Sequence, residues 1–131
     1  VAARLEIMGV EIFQDTAVEF RFENRVPQPE EMTLPPNYGR NILLIFKEAM
    51  NNSLRHAEAS KVTLEIDREG MHHISILLKD NGAGFEQGLV KKGYGTGNMA
   101  KRAGRIRGEF IIDSRPGAGT ACRLVVPVPP K

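Results

Sequence analysis

The sequence predicts a single α+β domain, and three observations carry that reading. One long stretch repeats its apolar residues with the period of an amphipathic helix, several short stretches alternate apolar and polar residues as half-buried strands do, and no linker separates the two kinds. A chain of 131 residues has the size of one ordinary domain with one core.

The elements follow in chain order. Ala2 to Gln14 carries Leu5, Met8, Val10, Ile12 and Phe13, which predicts a short helix despite Gly9. Val18, Phe20 and Phe22 alternate with Glu19, Arg21 and Glu23, the two-residue period of a strand. Asn24 to Asn37 contains four prolines and reads as a connecting loop. From Gly39 to His56, Ile42, Phe46, Ala49, Met50 and Leu54 trace the apolar face of the long helix. Val62, Leu64 and Ile66, a turn at Asp67–Gly70, and Ile74, Ile76 and Leu78 then predict a hairpin. Asp80 to Gly97 holds six glycines and few apolar residues, and reads as a long mobile loop. Met99, Ala103 and Ile106 form a helical stripe reaching Arg107, after which Glu109–Ser114 and Ala121–Val128 close the chain as paired strands around Arg115-Pro116-Gly117.

Composition excludes several classes. With 18 Lys+Arg against 16 Asp+Glu the net charge is only +2, and at 6% aromatic residues without Trp there is no basic and aromatic surface for nucleic acid. The lone Cys122 forbids an internal disulfide or a cysteine zinc site and suits a reducing compartment, so cytoplasm is the expected location. No apolar run reaches the roughly 18 residues of a membrane span, and no secretory signal opens the chain. A soluble domain with no membrane contact of its own is expected, with a membrane-anchored parent left open. Val1 in place of an initiator Met is what a piece of something longer would show.

Chemistry concentrates in four places. Helical spacing of four sets Glu48, Asn52 and His56 on one winding strip with Arg55 beside it. A carboxylate, a carboxamide and a basic end suit a hydrated magnesium ion and its phosphates, and equally an ordinary solvated helix face. Asp80-Asn81-Gly82-Ala83-Gly84 places a carboxylate at a strand end, able to accept a hydrogen bond from an exocyclic amine, with glycines that admit a flat ligand or simply make a turn. Gly93-Tyr94-Gly95-Thr96-Gly97-Asn98 feeds a helix N-terminus, whose free N–H groups suit phosphate. It lacks the Gly-Lys-Ser/Thr ending of a P-loop and the preceding strand of a dinucleotide fingerprint. Gly117-Ala118-Gly119-Thr120 fits a hairpin turn, or a Thr120 hydroxyl set beside the Asp80 carboxylate.

Taken together, Glu48-x-x-x-Asn52-x-x-x-His56, Asp80-x-Gly82-x-Gly84, Gly93-x-Gly95-x-Gly97 and Gly119-Thr120 resemble the N, G1, G2 and Gly-Thr boxes of the gyrase, heat-shock chaperone, histidine kinase and mismatch-repair ATPase superfamily. Phe46–Asn52 and Asn98–Ala103 are most similar to the catalytic ATP-binding domain of bacterial sensor histidine kinases. The resemblance implies a two-layer α/β sandwich, the Bergerat ATP-binding fold, in which a mixed, mostly antiparallel sheet is covered on one face by helices over residues 1–131. It also implies ATP and Mg²⁺. Asn52 would ligate the metal and Glu48 would polarise a bound water or act as base, while Arg55 and His56 would lie near the phosphates. Asp80 would accept the adenine amino proton, Gly82 and Gly84 would admit the base, and Thr120 would support Asp80 through water. Gly93, Tyr94, Gly95, Thr96 and Gly97 would belong to a lid over the phosphates, with Thr96 standing where such kinases commonly carry Leu.

The same resemblance implies partners. Phosphotransfer would need a phosphoacceptor histidine on a separate dimerisation domain, with a response regulator downstream, and His56, His72 and His73 are poor acceptors, the last two being expected at an exposed hairpin end. An isolated, monomeric catalytic domain in two-component signal transduction is expected. The alternatives within the superfamily are an anti-sigma-factor-type serine kinase and a non-catalytic, nucleotide-regulated interaction domain.

Overall fold

The computed structural model describes residues 1–26, 35–56, 58–84 and 96–128, with His56 and Thr96 described in their backbone only. Among the described residues eight elements follow one another: α1 (Ala2–Phe13), β1 (Glu19–Asn24), α2 (Pro36–His56), β2 (Lys61–Glu69), β3 (His73–Asp80), α3 (Thr96–Arg105), β4 (Glu109–Ser114) and β5 (Thr120–Pro127). The strands form one sheet in the order β1-β2-β3-β5-β4, parallel between β1 and β2 and antiparallel elsewhere.

Each strand turns one set of residues toward the helices. Val62, Leu64 and Ile66 of β2, Ile74, Ile76 and Leu78 of β3, and Cys122, Leu124 and Val126 of β5 are buried. They meet Ile42, Ile45, Phe46, Ala49 and Met50 of α2, Met99 and Ala103 of α3, and Ile106 just beyond it, in one core. Burial of apolar area drives this layer, at roughly 25 cal/mol per Å². The opposite face is wet and charged: Arg25 pairs with Glu23, Glu65 and Asp67, Lys79 with Glu65, and Arg123 with Glu69. The alternation read from the sequence is therefore the inside and outside of a sheet with helices on one face.

Packing resolves the glycine in α1. Leu5, Gly9 and Phe13 form its buried face, and a Cβ on Gly9 would run into the ring of Phe20, which stacks on Phe13 at 5.6 Å between centroids. Val10, part of the predicted apolar pattern, is 53% exposed, because it falls on the far side of the helix from that face.

Other boundaries shift for local reasons. Helix α2 opens at Pro36 rather than Gly39, since a proline in the first turn sacrifices no helical hydrogen bond. Strand β2 runs through Asp67 and Arg68 to Glu69, so the turn tightens to Gly70–His72, with Gly70 at φ 72°. His72 and His73 are exposed at that turn. Thr96, Gly97 and Asn98 belong to α3 rather than to the glycine loop before it. The rest of the expected Asp80–Gly97 loop, from residue 85 to 95, and most of the proline-rich connection, from 27 to 34, lie outside the described residues.

Candidate functional site

Asp80 is the last residue of β3, flanked by Val62 on β2 and Thr120 on β5. Its carboxylate is held by three donors from three parts of the chain. Oδ1 accepts the N–H of Gly82 at 2.9 Å and that of Thr120 at 3.2 Å, while Oδ2 accepts the hydroxyl of Ser53 at 3.0 Å. A carboxylate has about four lone-pair positions, so one remains on Oδ2 for an amine.

The neighbouring segments lock that strand end. Asn81 Oδ1 accepts the N–H groups of Ser60 and Lys61, both at 2.9 Å, and its Nδ2 donates to Ser60 Oγ at 2.8 Å. The N–H of Gly117 donates to the carbonyl of Ala83 at 2.6 Å. Gly84, at φ 67°, lies against the carbonyl of Arg115, and Gly119, at φ 78°, against that of Asp80, so that a Cβ at either would overlap main chain. Gly82 is buried beside the carboxylate. The Asp80–Gly84 and Gly117–Thr120 segments thus close on each other at one end of the sheet.

Thr120 meets Asp80 directly through its main chain. Its main-chain N–H makes the direct bond, while its side-chain hydroxyl pairs with Ser114 Oγ at 2.8 Å, and Ser114 Oγ also reaches the Gly119 carbonyl at 3.2 Å. The register that sets Asp80 opposite Thr120 dictates this, because it aims the amide of Thr120 across the strands.

The predicted strip on α2 divides by depth. Asn52 is fully buried, Glu48 is half-buried and Arg55 is exposed. Glu48 lines a cavity of about 270 Å³ between α2 and α3 together with Lys47, Asn51, Asn98 and Arg102. His56 closes α2, Thr96 opens α3, and Gly97 is exposed in its first turn. Gly93, Tyr94 and Gly95 lie outside the described residues. Among the described residues no group of three or more His, Cys, Asp or Glu is placed to hold a metal. A Mg²⁺ ion is commonly held by one or two protein oxygens together with phosphates and waters, and Glu48 with the carboxamides of α2 can supply such oxygens.

Ser53 and Ser114 escaped the sequence reading. A usable signal for Ser53 was its place three residues after Met50 and four after Ala49, on the apolar stripe, where a hydroxyl needs a partner. Ser114 carries no such signal, since its role depends on which strand comes alongside.

Comparison with known proteins gives concordant results. Residues 38–130 match the family described as histidine kinase-, DNA gyrase B-, and HSP90-like ATPase. The chain is 37% identical over 101 residues to the sensor protein VraS of Staphylococcus saprophyticus, covering 76% of this chain and 28% of that protein. It is 28% identical over 107 residues to the signal transduction histidine-protein kinase/phosphatase DegS of Bacillus subtilis, covering 79% of this chain and again 28% of the relative. The chain therefore spans less than a third of these relatives. Among solved structures, the histidine kinase domain of the Erythrobacter litoralis blue-light activated histidine kinase superposes with a TM-score of 0.81 at 17% identity, over 97% of this chain and 60% of that one. The catalytic domain of histidine kinase ThkA superposes with a TM-score of 0.77 at 14% identity, over 99% and 92%. Both likenesses show the fold, a mixed five-stranded sheet with helices.

Proposed function

Because the chain belongs to the histidine kinase-, DNA gyrase B-, and HSP90-like ATPase family, we propose that it is the ATP-binding catalytic domain of a sensor histidine kinase, one domain over residues 1–131. It binds ATP with Mg²⁺ and donates the γ-phosphoryl group to a histidine on a separate dimerisation domain, in a two-component system with a response regulator downstream. Cytoplasm is its place, and neither nucleic acid nor membrane is its partner.

The observation that carries this reading is the Asp80 carboxylate, fixed by Ser53, Gly82 and Thr120 with one acceptor position left. That position suits the 6-amino group of adenine, with Gly82 and Gly84 beside the base. Glu48 and Asn52 serve the catalytic end, Asn52 as the metal ligand and Glu48 as base or as the group that polarises water. The phosphates are assigned to Arg55, His56, Thr96 and Gly97, and the lid to Gly93, Tyr94 and Gly95, as the family resemblance implies. Phosphoryl transfer asks the protein mainly for positioning and charge neutralisation, which is what these groups can give. A Mg²⁺ ion held by Asn52 would supply positive charge against the phosphates.

Calorimetric titration with ADP and an ATP analogue, with and without Mg²⁺ and with GTP as control, tests the reading. Adenine-selective, magnesium-sensitive binding is expected. In Asp80→Asn, the side-chain oxygen must stay toward the two N–H donors, which puts the amide nitrogen where the adenine amine would approach. Selectivity for adenine over guanine should fall at least tenfold, the worth of a hydrogen bond to a charged group. Asn52→Ala should flatten the Mg²⁺ dependence. Undiminished selectivity in the first variant, or an unchanged magnesium titration in the second, would contradict the assigned role.

A further inference from the structure

The hydroxyl of Ser53 reaches 27 residues along the chain to Oδ2 of Asp80, the oxygen that keeps the spare lone pair. Ser53 is 3% exposed, on the core side of α2 and next to Asn52. A serine inside a helix usually returns its hydroxyl to the carbonyl one turn back, or to solvent. Here it spends that proton on a carboxylate in another layer of the fold.

We propose that Ser53 is a positioning residue for base recognition: its hydroxyl holds Oδ2 so that the single remaining acceptor position faces the 6-amino group of an adenine nucleotide. The inference rests on Asp80 being the adenine acceptor. The two N–H donors fix only Oδ1, and rotation of the carboxylate plane about that oxygen would move Oδ2 away from the base. The Ser53 bond removes that freedom. It also ties the carboxylate directly to α2, the helix that carries Asn52 and Glu48, so the base end and the phosphate end of the site share one rigid element. A bond to a charged acceptor is among the stronger side-chain hydrogen bonds, which makes it suited to setting an orientation.

The test compares two ligands, ADP and the purine riboside diphosphate that lacks the 6-amino group. Ser53→Ala keeps the helix, Ala being the best helix former, and Ser53→Cys keeps the volume with a poor donor. Circular dichroism and thermal melting of each variant report folding. ADP affinity should fall about tenfold in both variants, while affinity for the amine-free analogue should change less than twofold. Equal loss for both ligands would make Ser53 a structural residue and overturn the proposal. The two readings fail separately. If Asp80→Asn abolishes the preference for ADP over the analogue while Ser53→Ala leaves it intact, the role of Ser53 falls and that of Asp80 stands. If Asp80→Asn leaves the preference intact, the assignment of Asp80 falls and that of Ser53 with it.

Discussion

Cys122 sits on β5 two residues beyond Thr120, opposite Leu78 and fully within the core. Burial pushes its thiol up from 9.0 to about 12, and the negative charge of Asp80 adds to the shift. An un-ionised, enclosed thiol is a poor nucleophile and redox partner, so its role is packing. The shift has a consequence for stability. In the unfolded chain the thiol ionises near 9, whereas in the folded protein it keeps its proton to about 12. The stability it contributes is complete below pH 9 and is lost as pH rises toward 12, with a slope approaching about 1.4 kcal/mol per pH unit. Urea unfolding at pH 8, 9 and 10 should show stability falling more steeply in the native sequence than in Cys122→Ala. Parallel slopes in the two would mean that the thiol ionises as easily folded as unfolded.

At the scale of elements, α3 ends on an arrangement the sequence half discloses. The N–H of Gly108 bonds the Ala103 carbonyl at 2.8 Å and that of Arg107 bonds the Gly104 carbonyl at 3.2 Å, the paired bonds of a Schellman cap. The left-handed position of that cap is usually glycine, yet Arg107 occupies it at φ 56°. The glycine stands one residue later because a Cβ at Gly108 would come within 2.8 Å of Val126 and 3.1 Å of Leu124, where the chain crosses β5. One glycine thus serves packing, and Arg107 carries the strain. Arg107→Gly should raise stability by about 0.5–1 kcal/mol, the left-handed penalty less the entropy of a new glycine, and Gly108→Ala should lower it. Thermal melting of both variants checks this, and a loss of stability in Arg107→Gly would show that the arginine side chain contributes more than its backbone costs.

The same contrast explains what the sequence could disclose of the fold. Each helix and strand of the described residues was legible, because burying one face imposes a period of 3.6 or 2 on residues near in the chain. The ends were less so. Pro36 opening α2, and β2 continuing through Asp67 and Arg68, depend on hydrogen bonds that no periodicity encodes. In the site, Asp80 and the glycines stood out because a charge or a missing side chain at an element's end has few structural uses. The side chain that orients the carboxylate, Ser53, and the hydroxyl that takes up Thr120, Ser114, are short polar residues whose meaning comes only from what lies across the fold.

For the molecule as a whole, the candidate pocket belongs to no single element. Asp80 is joined to Ser53 across 27 residues and to Thr120 across 40, and Gly119 lets the β4–β5 turn lie against the Asp80 carbonyl. The pocket floor therefore exists only when the helix layer, the central strand and the last turn have all assembled. A ligand that binds such a site binds the folded state alone and stabilises it by mass action, about 2.7 kcal/mol at a hundred times its Kd. For a domain of 131 residues that is a rise of roughly 10 °C in Tm. Gly117 and Gly119 separate stability from site formation. Both have positive φ, but a Cβ at Gly117 meets nothing within 4 Å, whereas one at Gly119 overlaps the Asp80 carbonyl. Gly117→Ala should cost about 1 kcal/mol and keep the full ADP-induced rise. Gly119→Ala should cost at least twice as much and lose most of the rise, because the backbone shift that relieves the overlap also moves the Thr120 N–H from Oδ1. Melting curves with and without ADP settle the point. An undiminished rise in Gly119→Ala would place the nucleotide somewhere other than between β3 and the β4–β5 turn.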